Sequence, residues 1–215
     1  MNISGAIFDM DGTLTDSMFL WRDVVKKYLV SCGITPLETL WEDTKNKSAV
    51  EITQHFRDVY GLNKSTREIA DGIDSLVEPM YRQGVLPKDG IFLLLDRLKE
   101  RGVKMCVASA TDLEIVEMVL SDTGLRPYFS AVFSCVTLGS GKDKPLIFEK
   151  ALSHLGTPKE ETFVFEDALY AIKTAKKMGL PVAGVYDAYS DEDTEQIKAL
   201  SDIYIQDFRL SPDLF

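Results

Sequence analysis

The chain has 215 residues, 45% of them hydrophobic, enough for one large domain or for a domain that carries an insert. Its formal net charge of −10 argues against a general nucleic-acid binder, whose surface is basic, while an anionic ligand in a locally positive pocket stays possible. The three cysteines, Cys32, Cys106 and Cys135, have neither a disulfide-framework spacing nor a zinc spacing and read as small buried hydrophobes of a reducing compartment. With no basic leader and no long apolar stretch, a cytoplasmic protein without a membrane segment is expected.

Ile3 to Phe8 reads as a strand. Residues 18 to 84 then read as helix after helix. Leu20/Trp21, Val24/Val25 and Tyr28/Leu29 recur at helical spacing before Gly33. Ser48-Ala49-Val50-Glu51 has capping-box spacing ahead of Ile52, Phe56, Val59 and Tyr60, and Ser65-Thr66-Arg67-Glu68 repeats it ahead of Ile69, Ile73, Leu76, Val77 and Met80. After Pro87 helices are expected over 91–100, 112–120, 146–155 and 168–178, and strands over 103–109, 131–134, 162–167, 181–185 and 202–205. This alternation predicts an α/β fold with a doubly wound parallel sheet, interrupted after its first strand by an all-helical insert. The boundaries read as 1–15 and 86–215 for the core and 16–85 for the insert.

Ligands of such sheets bind at the carboxyl ends of the strands. Asp9/Asp11, Ser109 and Glu166/Asp167 all fall there. Asp9 and Asp11 pose a physical question, because paired acids at the tip of a buried strand repel each other and lose solvation. A cation is needed beside them. Each residue also has a plainer reading: a turn or cap for Asp9 and Asp11, a strand-end cap for Ser109, a solvated loop for Lys142, a helix cap for Asp167 and a structural acid at Glu166.

Taken together, "DMDGT" at 9–13, Ser109 after "VKMCVA", Lys142 in "GKDKPLIF" and "FEDALYAI" at 165–172 resemble, in order, the four motifs of the haloacid dehalogenase superfamily. The helical insert resembles that superfamily's C1 cap, within the β-phosphoglucomutase-like phosphatases and mutases. The resemblance implies a Mg²⁺-dependent phosphomonoesterase acting on a small phosphorylated metabolite, a sugar phosphate foremost, through an aspartyl-phosphate. It implies Asp9 as nucleophile and Asp11 as acid and base. Asp9, the main-chain carbonyl of Asp11 and Asp167 would hold Mg²⁺, with Glu166 as a further metal-linked acid. Ser109 would donate to the phosphate, and Lys142 would neutralise it, with Lys144 as a competitor for that role.

The cap implies substrate selection. Lys45 and Lys47 stand where the family places its cap substrate loop, although a solvated loop suits them as well. Trp21 replaces a histidine of the mutases, and it faces the pocket or packs in the helices. Ala49 replaces their phosphate-gripping arginine, and Ala168 replaces a common serine. A β-phosphoglucomutase-type mutase is the second reading, and a non-catalytic binding protein on the same fold is the third. Asp11 speaks against a dehalogenase or a phosphonate hydrolase. A monomer or weak oligomer is expected, with no nucleic-acid or membrane partner.

Overall fold

Gly5-Ala6-Ile7-Phe8 is apolar throughout, as suits a strand covered on both faces. In the computed structural model, which describes residues 2–45, 47 and 49–210, it forms β1 (Gly5–Phe8) in the interior of a parallel sheet. A turn leads to the short β2 (Thr15–Asp16), after which the chain runs through four helices: α1 (Met18–Ser31), α2 (Leu40–Thr44), α3 (Ala49–Tyr60) and α4 (Thr66–Arg82). It returns through β3 (Leu86–Pro87), which pairs antiparallel with β2. The order then runs α5 (Ile91–Glu100), β4 (Lys104–Ser109), α6 (Leu113–Asp122), β5 (Val132–Ser134), α7 (Cys135–Leu138), α8 (Leu146–Leu155), β6 (Thr162–Glu166), α9 (Leu169–Lys177), β7 (Val182–Val185), α10 (Thr194–Leu200) and β8 (Ile203–Ile205).

The sheet order is β5-β4-β1-β6-β7-β8, with every neighbouring pair parallel. From β1 the sheet grows outward through β4 and β5, then restarts on the other side of β1 at β6. β1 therefore flanks the point where winding reverses, and the ends of β4, β1 and β6 form one rim. Register puts Ile7 opposite both Cys106 and Val164. Those three side chains share a cluster with Phe148 of α8 and Ile172 of α9. Phe8 stacks on Phe165 at 4.2 Å and meets the edge of Phe129 at 5.7 Å.

Residues 17–84 form one compact unit, and the rest of the described chain forms another. Within the helical unit α1 packs on α4. Gly72 allows a close approach there, since a Cβ at that position would lie 2.4 Å from the Tyr28 ring. The capping box at Ser65 and Glu68 is formed, whereas Ser48 of the other expected box lies outside the described residues. Burial pushes the Cys106 thiol up to about 12 and the Cys135 thiol up to about 11, so both are inert small hydrophobes. Cys32 is only half-buried. No helix among the described residues is long and apolar enough to cross a membrane.

The helix after β6 departs from expectation. α9 starts at Leu169 and not at Ala168, and Asp167 does not cap it. Glu166 Oε1 instead accepts the Ala168 N–H at 3.2 Å. The two-residue strands β2 and β3 and the helices α7 and α10 had no expectation behind them, whereas α2 falls in the stretch expected to be helical. Each is shorter than two periods of its own pattern or lies in polar sequence.

Candidate active site

One residue beyond β1, the Asp9 N–H donates to the Phe165 carbonyl at 3.0 Å, which continues the ladder toward β6 and sets Asp9 beside that strand's last residue, Glu166. The chain then reverses. The Leu14 and Thr15 N–H groups converge on the Met10 carbonyl at 2.9 and 3.0 Å, and Gly12 takes a φ of 88°, which a side chain would oppose.

Into this rim comes Lys142, from the loop between α7 and α8, with only 2% of its surface exposed. Its ammonium donates to Asp9 Oδ1 and to Glu166 Oε2, the latter at 2.8 Å. Asp167 adjoins them. Its Oδ1 accepts a long bond from the Thr13 hydroxyl at 3.4 Å and its Oδ2 another from Ser190 at 3.3 Å. Asp9, Glu166 and Asp167 each bring a carboxylate oxygen within 4.8 Å of the others, and all three residues are buried.

The charges do not balance. Two carboxylates within 4.8 Å of each other repel by roughly 3 kcal/mol or more at an effective dielectric of about 20. Three such groups face one lysine. Burial holds Asp9 well above the usual carboxylate range despite Lys142, with Glu166 and Asp11 adding to the rise. Burial also holds Asp167 well above that range, reinforced by Asp9 and Glu166 and only partly offset by Lys88. Lys142 is held up: burial favours its neutral form, but the two acids outweigh it. Asp9 Oδ2 is buried and has no hydrogen-bond partner. A surplus of buried negative charge, an unpartnered carboxylate oxygen and an all-oxygen donor set fit a hard divalent cation.

A pH dependence follows from these shifts. Asp9 and Asp167 retain protons in the folded state that the unfolded chain gives up near pH 4. Their contribution to stability is therefore full below that pH and is lost as pH rises through the folded values. In chelator, the melting temperature is expected to fall from pH 5 to pH 8, and an excess of a divalent cation that the cluster holds is expected to remove most of that slope. Asp167→Asn should flatten the slope in chelator, and thermal melts across pH with and without the ion check each outcome.

The structure brings together Asp9, Asp11, Ser109, Lys142, Glu166 and Asp167 at the rim. Asp11 is set apart in its contacts. Its Oδ2 accepts from the Thr111 hydroxyl at 2.6 Å, and its carboxylate is not part of the three-acid cluster. Ser109, the last residue of β4, is buried and accepts the Thr111 N–H at 3.0 Å. Lys144 is exposed. Trp21, Lys45 and Lys47 belong to the helical unit and have partners within it. Trp21 Nε1 donates to the Tyr81 hydroxyl at 2.9 Å, Lys45 pairs with Glu42 at 2.5 Å, and Lys47 donates to the Asp43 carbonyl at 2.5 Å.

Four residues had no forewarning: Thr111, Lys88, Asp187 and Ser190. Thr111 stands two residues past the strand-end serine, and a hydroxyl in that place was the signal available. Half-buried Lys88 pairs with buried Asp187 at 2.8 Å, and Ser190 follows Asp187 in the same loop. Lys88 and Asp187 lie 99 positions apart, and no pattern links them.

The family model of the haloacid dehalogenase-like hydrolases matches residues 6–185, a span that includes Asp9, Asp11, Ser109, Lys142, Glu166 and Asp167. The chain belongs to this family. A phosphoglycolate phosphatase of Agrobacterium fabrum is 22% identical over 98% of the chain and 91% of its own length. The fructose-1-phosphate phosphatase YqaB of Escherichia coli K12 is 28% identical over 85% of the chain and 96% of its own length. The crystal structure of CbbY from Rhodobacter sphaeroides in complex with xylulose-(1,5)bisphosphate, a mutant form, superposes with a TM-score of 0.84 at 22% identity, covering 99% of this chain and 96% of that one. At that identity the likeness is one of fold. Membership makes the chain a hydrolase with the phosphomonoesterase type of site, and the carboxylate cluster of Asp9, Glu166 and Asp167 is able to hold a divalent metal.

Proposed function

We propose that the chain is a Mg²⁺-dependent phosphatase that hydrolyses a small phosphorylated metabolite, a sugar phosphate foremost, through an aspartyl-phosphate on Asp9. The observation that carries this reading is the clamp of Lys142 on Asp9 and Glu166 within a buried acid cluster. A lysine that shares two carboxylates fixes the Asp9 carboxylate and leaves positive charge where phosphoryl oxygens arrive. The relatives cited above are named for phosphoglycolate and for fructose 1-phosphate, both small phosphate monoesters.

In the proposed reaction a carboxylate oxygen of Asp9 bonds to phosphorus as the bond from phosphorus to the ester oxygen breaks. Asp11, as the carboxylic acid, gives its proton to that departing oxygen. Asp11 then takes a proton from water as the water oxygen attacks phosphorus, which releases inorganic phosphate and regenerates Asp9. Ser109 uses its oxygen to accept from Thr111, and its own O–H donates to a phosphoryl oxygen. Asp9, Asp167 and the main-chain carbonyl of Asp11 would hold Mg²⁺, backed by Glu166. When bound, the ion supplies positive charge opposite the phosphoryl oxygens. Lys45, Lys47 and Trp21 are proposed to govern substrate choice.

A mutase needs a second cation for the distal phosphate. Position 49 is alanine, and the Trp21 indole already donates to Tyr81 at 2.9 Å. Losing a charged phosphate contact costs about 1.5–3 kcal/mol, or about 10- to 150-fold in affinity for a bisphosphate. The test is a screen of phosphorylated metabolites with Mg²⁺, including glucose 1-phosphate with a trace of its 1,6-bisphosphate. Free phosphate is the expected product, lost in chelator. Glucose 6-phosphate accumulating much faster than phosphate would replace this reading with the mutase.

A further inference from the structure

Thr111 is buried, and its main chain and side chain are tied to three polar groups of the rim. Its N–H donates to Ser109 Oγ at 3.0 Å, its carbonyl accepts from the Ser134 hydroxyl at 2.7 Å, and its own hydroxyl donates to Asp11 Oδ2 at 2.6 Å. The first two are main-chain contacts that any residue except proline would make. They fix the backbone at 111 and so the direction of its Cβ. The third belongs to the side chain. Threonine is stiff about χ1, so a fixed backbone aims its hydroxyl, and an O–H donating to a carboxylate at this length is a charge-assisted bond.

The chemistry of the partner matters as much as its place. Asp11 must carry a proton in one half of the proposed cycle and lack it in the other. A hydroxyl both donates and accepts. Here it donates to Oδ2 in both states, the carboxyl's own proton sitting on its other oxygen and aimed at the ester, so the same contact serves both. An ammonium in that place would favour the carboxylate and oppose the form that carries the proton.

We infer that Thr111 is the positioning residue for Asp11: it holds the acid–base carboxyl in one orientation through both protonation states and ties it, through the main chain, to the phosphate-binding Ser109. The inference rests on the reading of Asp11 as acid and base. It predicts an effect that depends on the leaving group, because only a poor leaving group needs Asp11's proton as the ester bond breaks.

The test compares kcat/KM, which reports the step that forms the aspartyl-phosphate, for an alkyl phosphate and for p-nitrophenyl phosphate. Thr111→Val keeps the shape and both main-chain contacts but removes the hydroxyl. It is expected to lose about 10- to 100-fold on the alkyl ester, within the range general acid catalysis supplies, and only a few-fold on the aryl ester. Thr111→Ser should recover most of the loss. Equal losses on the two esters, or a serine variant no better than valine, overturn the inference. If the valine variant does not fold, Thr111→Ala makes the same comparison. Asp11→Asn separates the two levels. A leaving-group-dependent loss in Asp11→Asn without one in Thr111→Val leaves the acid–base role of Asp11 standing and removes Thr111 from it. No such dependence in Asp11→Asn overturns both.

Discussion

Asp9→Asn is expected to abolish turnover while leaving the protein folded and, in chelator, at least as stable as the parent. The two effects share one cause. Asp9 is buried among Glu166, Asp167 and Asp11, and burial already holds its carboxyl well above the ordinary range. An amide of the same shape removes one member of a mutually repelling set, and Lys142 keeps Glu166 at 2.8 Å as its partner. Catalysis loses its nucleophile outright, because an amide oxygen does not form the acyl phosphate. The expected loss is several orders of magnitude, toward the residual rate that binding and electrostatics alone supply. Phosphate release and thermal melting on the same preparation check both halves. Turnover above about a hundredth of the parent's would remove Asp9 from the nucleophile role, since loss of a covalent catalyst costs far more than that. A sharp fall in melting temperature with activity retained would make Asp9 a structural acid. Functional sites are commonly kept at some expense of stability, and Asp9 is where that exchange should be measurable.

Much of this was legible before any coordinates. The core strands are short apolar runs that end in polar residues, and such runs suit only a sheet covered on both faces. Their alternation with helices fixed the class, and the polar residues at their ends marked the rim. The pattern alone put Asp9 and Glu166 at strand ends; that those ends are adjacent comes from the pairing of β1 with β6, which closes at Glu166, one residue earlier than expected. Partners across the chain were not legible. Nothing in "PKDG" says that Lys88 pairs with Asp187, because a pair this far apart in sequence depends on how the loop after β7 folds back on the return from β3. The bond from Thr111 to Asp11 spans 100 positions and depends on β4 lying beside β1 in register. Asp167 was expected as a cap or a metal ligand. The local geometry gives the N–H of Ala168 to Glu166 instead, because α9 begins one residue later than its periodicity suggested.

The last expectation sets Lys142 against Lys144, which lie in the same loop and carry the same charge. Lys142 is buried between Asp9 and Glu166, whereas Lys144 is exposed. Removing one partner from a buried ion pair typically costs 3–5 kcal/mol, because the remaining charge has no counterpart. Two carboxylates would be left here, and without the ammonium Asp9 holds its proton more tightly still, which disarms it as a nucleophile. Lys142→Ala should therefore lose about 10²- to 10³-fold in kcat/KM, the range seen when one preorganised charge-stabilising donor is removed, and should melt lower in chelator at pH 8 than at pH 5. Lys142→Met keeps the buried stem and isolates the charge, and it should lose nearly as much activity with less loss of packing. Lys144→Ala removes a solvated charge and should stay within about 0.5 kcal/mol of the parent in stability, with turnover little changed. Arginine at 142 should not rescue, because a planar fork cannot replace a compact ammonium shared between two acids in a space this closed. Kinetics and melts of the four variants check the order. Equal losses at 142 and 144 would refute the assignment, and the reverse order would give the role to Lys144, with the buried lysine then acting only to hold Asp9 and Glu166 together.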